Sequence, residues 1–190
     1  MKTAIMLVEF QEDYYTDGKS PLIHSHEASQ HALQAANHFR AQGSPVIHVQ
    51  QISTHPNARY FLPCTKGAEF HSTLKPLKGE QIIKKHYPNA FKDTLLLNYL
   101  HKNQIKDLVI CGMMIHLAID STVRAARDFG FSCTVLSDAC AAKELTFNHR
   151  TIQASEVNAS FLAAFYPTYA KVSSTQEYLQ KVQQPLPMTG

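Results

Sequence analysis

Apolar positions along the chain gather into short unbroken blocks, separated by stretches with a helical period. Residues 4–8, 46–49 and 108–111 are almost wholly apolar and are bounded by polar or turn residues. A strand buried on both faces loses the in–out alternation of a half-exposed strand, so these blocks predict interior strands of a parallel sheet. Residues 81–85, 132–136 and 170–173 follow the pattern with more polar admixture and predict three further strands. Over residues 27–42, Ala28, Ala32, Ala35, Ala36 and Phe39 recur at the spacing of one helix face, and Gly43 stands where a helix would stop. Helices are also predicted over 93–102, 116–129, 151–165 and 175–182.

Strand and helix alternate through most of the chain. That order predicts a doubly wound α/β fold, a mostly parallel six-stranded sheet with helices on both faces. Ligands of such sheets bind outside the carboxyl ends of the strands, where the winding reverses. The residues that follow the strands are therefore the candidates for chemistry.

Composition narrows the picture. The 190 residues are 44% apolar and 17% charged, which suits one globular domain, expected over 1–182, with the Pro-containing tail 183–190 expected to be disordered. A net charge of +3, with the basic residues scattered, excludes a nucleic-acid footprint. The first apolar run ends at Glu9, too short for a signal peptide or a spanning helix, so no membrane role is expected and the chain reads as soluble and cytoplasmic. Cys64, Cys111, Cys133 and Cys140 show no Cys-x-x-Cys spacing and read as reduced cysteines rather than a disulfide framework. The segment 52–78 has little periodicity and contains the string Ala58-Arg-Tyr-Phe-Leu-Pro63. A connection of that length suits a lid or an interaction loop.

Three strand ends bring candidate chemistry. Glu9 ends the first strand, Lys85 the third, and Gly112-Met-Met-Ile-His116 joins the fourth to a helix. An acid, a cation and a helix N-terminus can converge on one cleft in this fold. Taken singly, Glu9 could cap a helix and Lys85 could be solvated.

Longer strings carry a resemblance. Lys85-His-Tyr-Pro-Asn-Ala-Phe91 with Asp93-Thr-Leu95, then Cys111-Gly-Met-Met-Ile-His-Leu-Ala-Ile-Asp-Ser-Thr-Val-Arg-Ala-Ala126, then Ser137-Asp-Ala-Cys140, resemble the isochorismatase-like cysteine hydrolase superfamily, which includes nicotinamidases, carbamoylsarcosine amidohydrolases and isochorismatases. The likeness runs from the first strand to about Val172. It implies a six-stranded parallel sheet and, in the amidases, cleavage of small amides by an Asp, a Lys and a Cys. It also implies an oxyanion hole from backbone N–H groups at Met114 and Ala118, and a cis peptide at Met113-Met114.

The chain departs from that pattern at two of the three catalytic positions. Glu9 stands for the acid and Ala118 for the nucleophilic thiol; Lys85 is retained, and Ile115 occupies a position that is often Thr. A methyl group cannot form a thioester, so the acyl-enzyme route is closed at position 118. An extra methylene shifts the carboxylate by about 1 Å, a displacement that can cost about a hundredfold in rate. Cys111 lies in a strand upstream and is not expected to substitute.

No cofactor is implied. The metal-binding Asp-x-His-x-His of nicotinamidases is missing from the stretch Ile47-His-Val-Gln-Gln-Ile-Ser-Thr-His55, His24-x-His26 reads as solvated, and His116 reads as a packing or capping residue beside the pocket, so no metal is expected. Three functional readings stand. The chain is a catalytically impaired or non-catalytic small-molecule-binding member; or a hydrolase working by acid catalysis through Glu9, as in true isochorismatases; or an active small-amide hydrolase carrying a Cys-to-Ala change. A small-molecule ligand and assembly into a homo-oligomer are the expected partners.

Overall fold

The computed structural model describes residues 2–183. Its strands are β1 (Lys2–Val8), β2 (Val46–Gln51), β3 (Gln81–Lys85), β4 (Ile105–Met113), β5 (Ser132–Ala141), β6 (Leu145–Phe147), β7 (Arg150–Ile152) and β8 (Lys171–Ser173). Six of them form one sheet in the order β3-β2-β1-β4-β5-β8, and every pairing in it is parallel. The remaining two make a small antiparallel hairpin. The apolar blocks of the sequence are the central strands: Ala4 to Val8 and Leu108 to Cys111 are at most 2% exposed.

The helices are α1 (Ser25–Ala41), α2 (Leu96–Lys102), α3 (Asp120–Asp128), α4 (Ala154–Phe165) and α5 (Thr175–Gln183). The stripe Ala28, Ala32, Ala35, Ala36 and Phe39 is buried. Four of its five side chains are single methyls, which lets α1 lie close against the sheet. Phe39 stacks on Tyr178, joining α1 to α5 on one face. The crossovers into β4, β5 and β8 run the opposite way across the sheet, so the right-handed rule puts α2, α3 and α4 on the other face.

Winding reverses between β1 and β4, and Gly112 brings the two strands together there. It pairs with Val8 at a φ of 141°, and a Cβ would sit 2.0 Å from the Val8 carbonyl oxygen. Only glycine permits that approach. The two strand ends are thus tightly packed at the reversal point.

Local chemistry moves several boundaries. The helix expected over 116–129 is a wide turn, Ile115–Ile119, followed by α3, because the Met114 carbonyl accepts hydrogen bonds from both Leu117 N (3.1 Å) and Ile119 N (3.3 Å). Such five-residue turns recur at functional sites. The helix expected over 151–165 begins at Ala154: Thr151 belongs to the hairpin, and the Glu156 carboxylate caps Gln153 N at 3.0 Å. The helix expected from 93 begins at Leu96, since Thr94 holds a turn by donating to Ala90 O and accepting from Leu96 N. Among the described helices none is long and apolar enough to cross a membrane. Of the tail expected to be disordered, Gln183 closes α5 and residues 184–190 lie outside the described residues.

Candidate functional site

Glu9 follows the last residue of β1 in the left-handed region, at a φ of 56°, and its N–H donates to Val49 O at 2.9 Å. A non-glycine residue there is uncommon and turns its side chain off the strand line. Lys85 closes β3 and is fully buried. Its ammonium makes a short ion pair with Glu9 Oε1 and donates to Gln51 Oε1 (2.7 Å) and Tyr87 O (2.8 Å). These three contacts use all three ammonium protons. The other Glu9 oxygen accepts from the Tyr14 hydroxyl at 3.0 Å.

Burial, and then the Glu9 charge, push the Tyr14 phenol well above its ordinary pKa. It stays a neutral hydrogen-bond donor over the whole working range of pH. Both Glu9 oxygens are therefore acceptors here, held by a cation on one side and a phenol on the other. The cation and the phenol offset part of the desolvation cost that an isolated buried carboxylate would carry in full.

The strand end opposite supplies position 118. A cis peptide joins Met113 to Met114, and the turn Ile115–Ile119 carries Ala118, 2% exposed. Glu9 and Ala118 line one cavity of about 110 Å³ with Tyr14, Gln51, Ser53, Tyr60, Phe61, Pro88 and Leu117. Lys85 reaches this cavity only through the groups it bonds. Among the described residues no sulfur lines it. Cys111 is fully buried in β4 with its thiol toward Met6 O at 3.9 Å, and burial pushes that thiol well above its ordinary pKa.

The remaining expected positions lie outside the lining. Met114 is buried at the head of the turn. His116 packs toward Phe161, with ring centroids 6.2 Å apart, and its Nδ1 is buried without a hydrogen-bond partner. Burial, and then Lys143, lower its pKa, which keeps the ring neutral. His24 pairs with Glu27 at 2.6 Å, and His26 sits among the rings of Tyr15 and His71. Among the described residues no group of three or more His, Cys, Asp or Glu is placed to hold a metal.

The long 52–78 segment supplies the cavity wall through Ser53, Tyr60 and Phe61. Phe61 meets Tyr14 edge-on at 4.7 Å, and its N–H donates to Asp13 Oδ2 at 2.6 Å. Asp13 is itself buried, accepts from Lys19 N through its other oxygen, and is packed so tightly that a Cβ on Gly67 would fall 2.2 Å from it. Gln11 ties the same region to β2, donating to Gln51 O (2.9 Å) and Ala68 O (2.8 Å) and accepting from Gln51 N (2.7 Å). Two buried side chains thus fix the wall to the start of the chain.

Tyr14, Gln51, Tyr60 and Phe61 were not among the candidates drawn from sequence. Gln51 was within reach of the strand-end rule, but β2 runs two residues beyond its apolar block and ends there. Tyr60 and Phe61 lay in the aromatic string of the long segment. Tyr14 carries no local signal.

The sequence and the fold have known counterparts. The family model described as the isochorismatase domain matches residues 3–176. The uncharacterized isochorismatase family protein YddQ of Bacillus subtilis is 41% identical over 180 residues, covering 95% of this chain and 100% of its own. A candidate isochorismatase hydrolase from Oleispira antarctica has a solved structure with a TM-score of 0.91 at 40% identity, covering 94% of this chain and 96% of its own. A cysteine hydrolase from Pseudomonas syringae reaches a TM-score of 0.90 at 18% identity, over 96% of this chain and 92% of its own, a likeness of fold alone.

Proposed function

The chain belongs to the isochorismatase family, and on that premise we propose that it binds a small organic ligand in the Glu9–Ala118 cavity without the covalent thiol step of the family's amidases. One observation carries this reading: the Ala118 methyl and the Glu9 carboxylate line the same cavity, and no sulfur lines it among the described residues. A methyl has no lone pair to attack a carbonyl, and the buried Cys111 thiol faces a backbone oxygen instead. Glu9 and Lys85, at the positions where the resemblance puts the acid and the lysine, make an ion pair. On this reading the site is kept and its nucleophile is lost.

The Glu9 carboxylate on the cavity wall favours one second reading, hydrolysis of a vinyl ether with Glu9 moving the proton. Its hydrogen bonds to Lys85 and Tyr14 suit an acceptor better than a donor, which ranks it second. Incubation with isochorismate tests it, and pyruvate release dependent on Glu9 is its expected signature. A cytoplasmic homo-oligomer completes the proposal. Large apolar side chains left open at Leu95, Phe147 and Tyr166, 72%, 71% and 66% exposed, support assembly, which light scattering checks.

The main reading is tested by restoring the missing groups. Ala118→Cys alone is expected to give little hydrolysis of small amides, whereas Ala118→Cys with Glu9→Asp is expected to be alkylated by iodoacetamide at position 118 at pH 7 and to release ammonia. A double variant inert to the alkylating agent would overturn the claim that the cavity retains the family's geometry.

A further inference from the structure

The cavity is asymmetric in charge and in hydrogen bonding. Glu9 supplies a carboxylate to the lining, while no Lys, Arg or His lines it among the described residues. The compensating cation, Lys85, is fully buried and has its protons committed to Glu9, Gln51 and Tyr87. A ligand anion entering there would face a carboxylate with no free cation to meet it.

Gln51 adds a second element. Its Oε1 accepts from Lys85 at 2.7 Å, and that bond fixes which way the amide is turned. The Nε2 group is then the free end, with no protein partner among the described residues, on a side chain that lines the cavity. Lys85 thus orients an acceptor, Glu9, and a donor, Gln51, around one point. Of the other walls, Phe61, Pro88, Leu117 and Ala118 are apolar, Tyr14 and Tyr60 present aromatic rings, and Ser53 adds one neutral hydroxyl. A volume of about 110 Å³ equals roughly four waters at about 30 Å³ each. One small ring reaching toward the mouth fits it.

From these features we infer that the cavity selects uncharged ligands over anions, taking a small planar molecule that gives a hydrogen bond to Glu9 and accepts one from Gln51 Nε2. Gln51 is the specificity-determining residue. The inference rests on the ligand-binding reading above and states its chemistry.

The test compares an isosteric pair, pyrrole-2-carboxamide and pyrrole-2-carboxylate, by NMR titration of the full chain, with Gln51→Glu and Ala118→Phe as variants. Gln51→Glu keeps an acceptor for Lys85 and replaces the free donor by an oxygen; Ala118→Phe fills the cavity. The carboxamide is expected to bind at least tenfold tighter than the carboxylate, to lose at least tenfold on Gln51→Glu, and to lose its binding on Ala118→Phe. Equal or reversed preference, with binding still abolished by Ala118→Phe, overturns the inference and leaves the ligand-binding reading intact. Carboxamide binding unchanged by Gln51→Glu removes Gln51 from its role. Failure of both ligands to bind the unmodified protein contradicts the ligand-binding reading itself, and the selectivity with it. Should Gln51→Glu fail to fold, the preference measured on the unmodified protein decides alone.

Discussion

The Lys85 ammonium and the Glu9 carboxylate, from the ends of β3 and β1, form an ion pair that is buried on both sides, with 0% and 5% of the two side chains exposed. Neither partner can be removed alone without stranding the other charge. Lys85→Met should therefore destabilise the fold by about 3 kcal/mol, the usual result of leaving a buried charge unpaired. Adding Glu9→Gln should recover much of that loss. Urea unfolding of the single and double variants measures the coupling.

Asp13 holds the cavity wall in place through one strong contact, Phe61 N to Asp13 Oδ2, and receives Lys19 N on its other oxygen. Asp13→Ala leaves both N–H groups without an acceptor, one of them buried. A loss of about 3 kcal/mol is expected from the two donors together. Hydrogen exchange at Phe61 should accelerate far more than exchange in β4, because the wall loosens before the sheet does.

Acid should weaken the protein through a second, partly buried cluster formed by Glu80, Arg40 and His48. Glu80 accepts from Arg40 Nε (2.7 Å) and Nη2 (3.0 Å), from Leu77 N and from His48 Nε2 (2.8 Å). Burial alone would raise the Glu80 pKa, but these donors outweigh it and hold the carboxyl at about 2, below its ordinary 4.5. For His48, burial dominates and lowers the pKa below 6.5 despite the Glu80 contact. In both cases the unfolded chain takes up protons that the folded one resists. Stability is thus greatest above pH 6.5, falls first as unfolded His48 protonates, and falls further between pH 4.5 and 2 as Glu80 titrates. Glu80→Gln should lower stability at pH 7 and flatten the second fall. Urea midpoints at intervals from pH 7 to pH 3 check both.

Much of this could be read from the chain because burial writes itself into the apolar pattern. Strands buried on both faces, such as Ala4 to Val8, carry no polar interruption, and the α1 stripe names its own face. The strand-end rule then reached Glu9 and Lys85, and the resemblance reached Ala118. Gln51 escaped because β2 continues in polar residues once one side faces the cavity, which ends the apolar signal before the strand ends. Tyr14 and Asp13 act through contacts with Glu9 and Phe61 that no local period encodes. α4 begins later than composition predicts because Thr151 and Ile152, which suit a helix, pair with Thr146 and Leu145 in the hairpin.

Ligand binding without thiol chemistry is measured most directly by titrating the unmodified protein with small amides while following backbone amide signals and released ammonia together. The account predicts saturable shifts at Glu9, Ser53, Leu117 and Ala118, with ammonia no faster than in protein-free buffer. Ammonia released in proportion to protein concentration would contradict it.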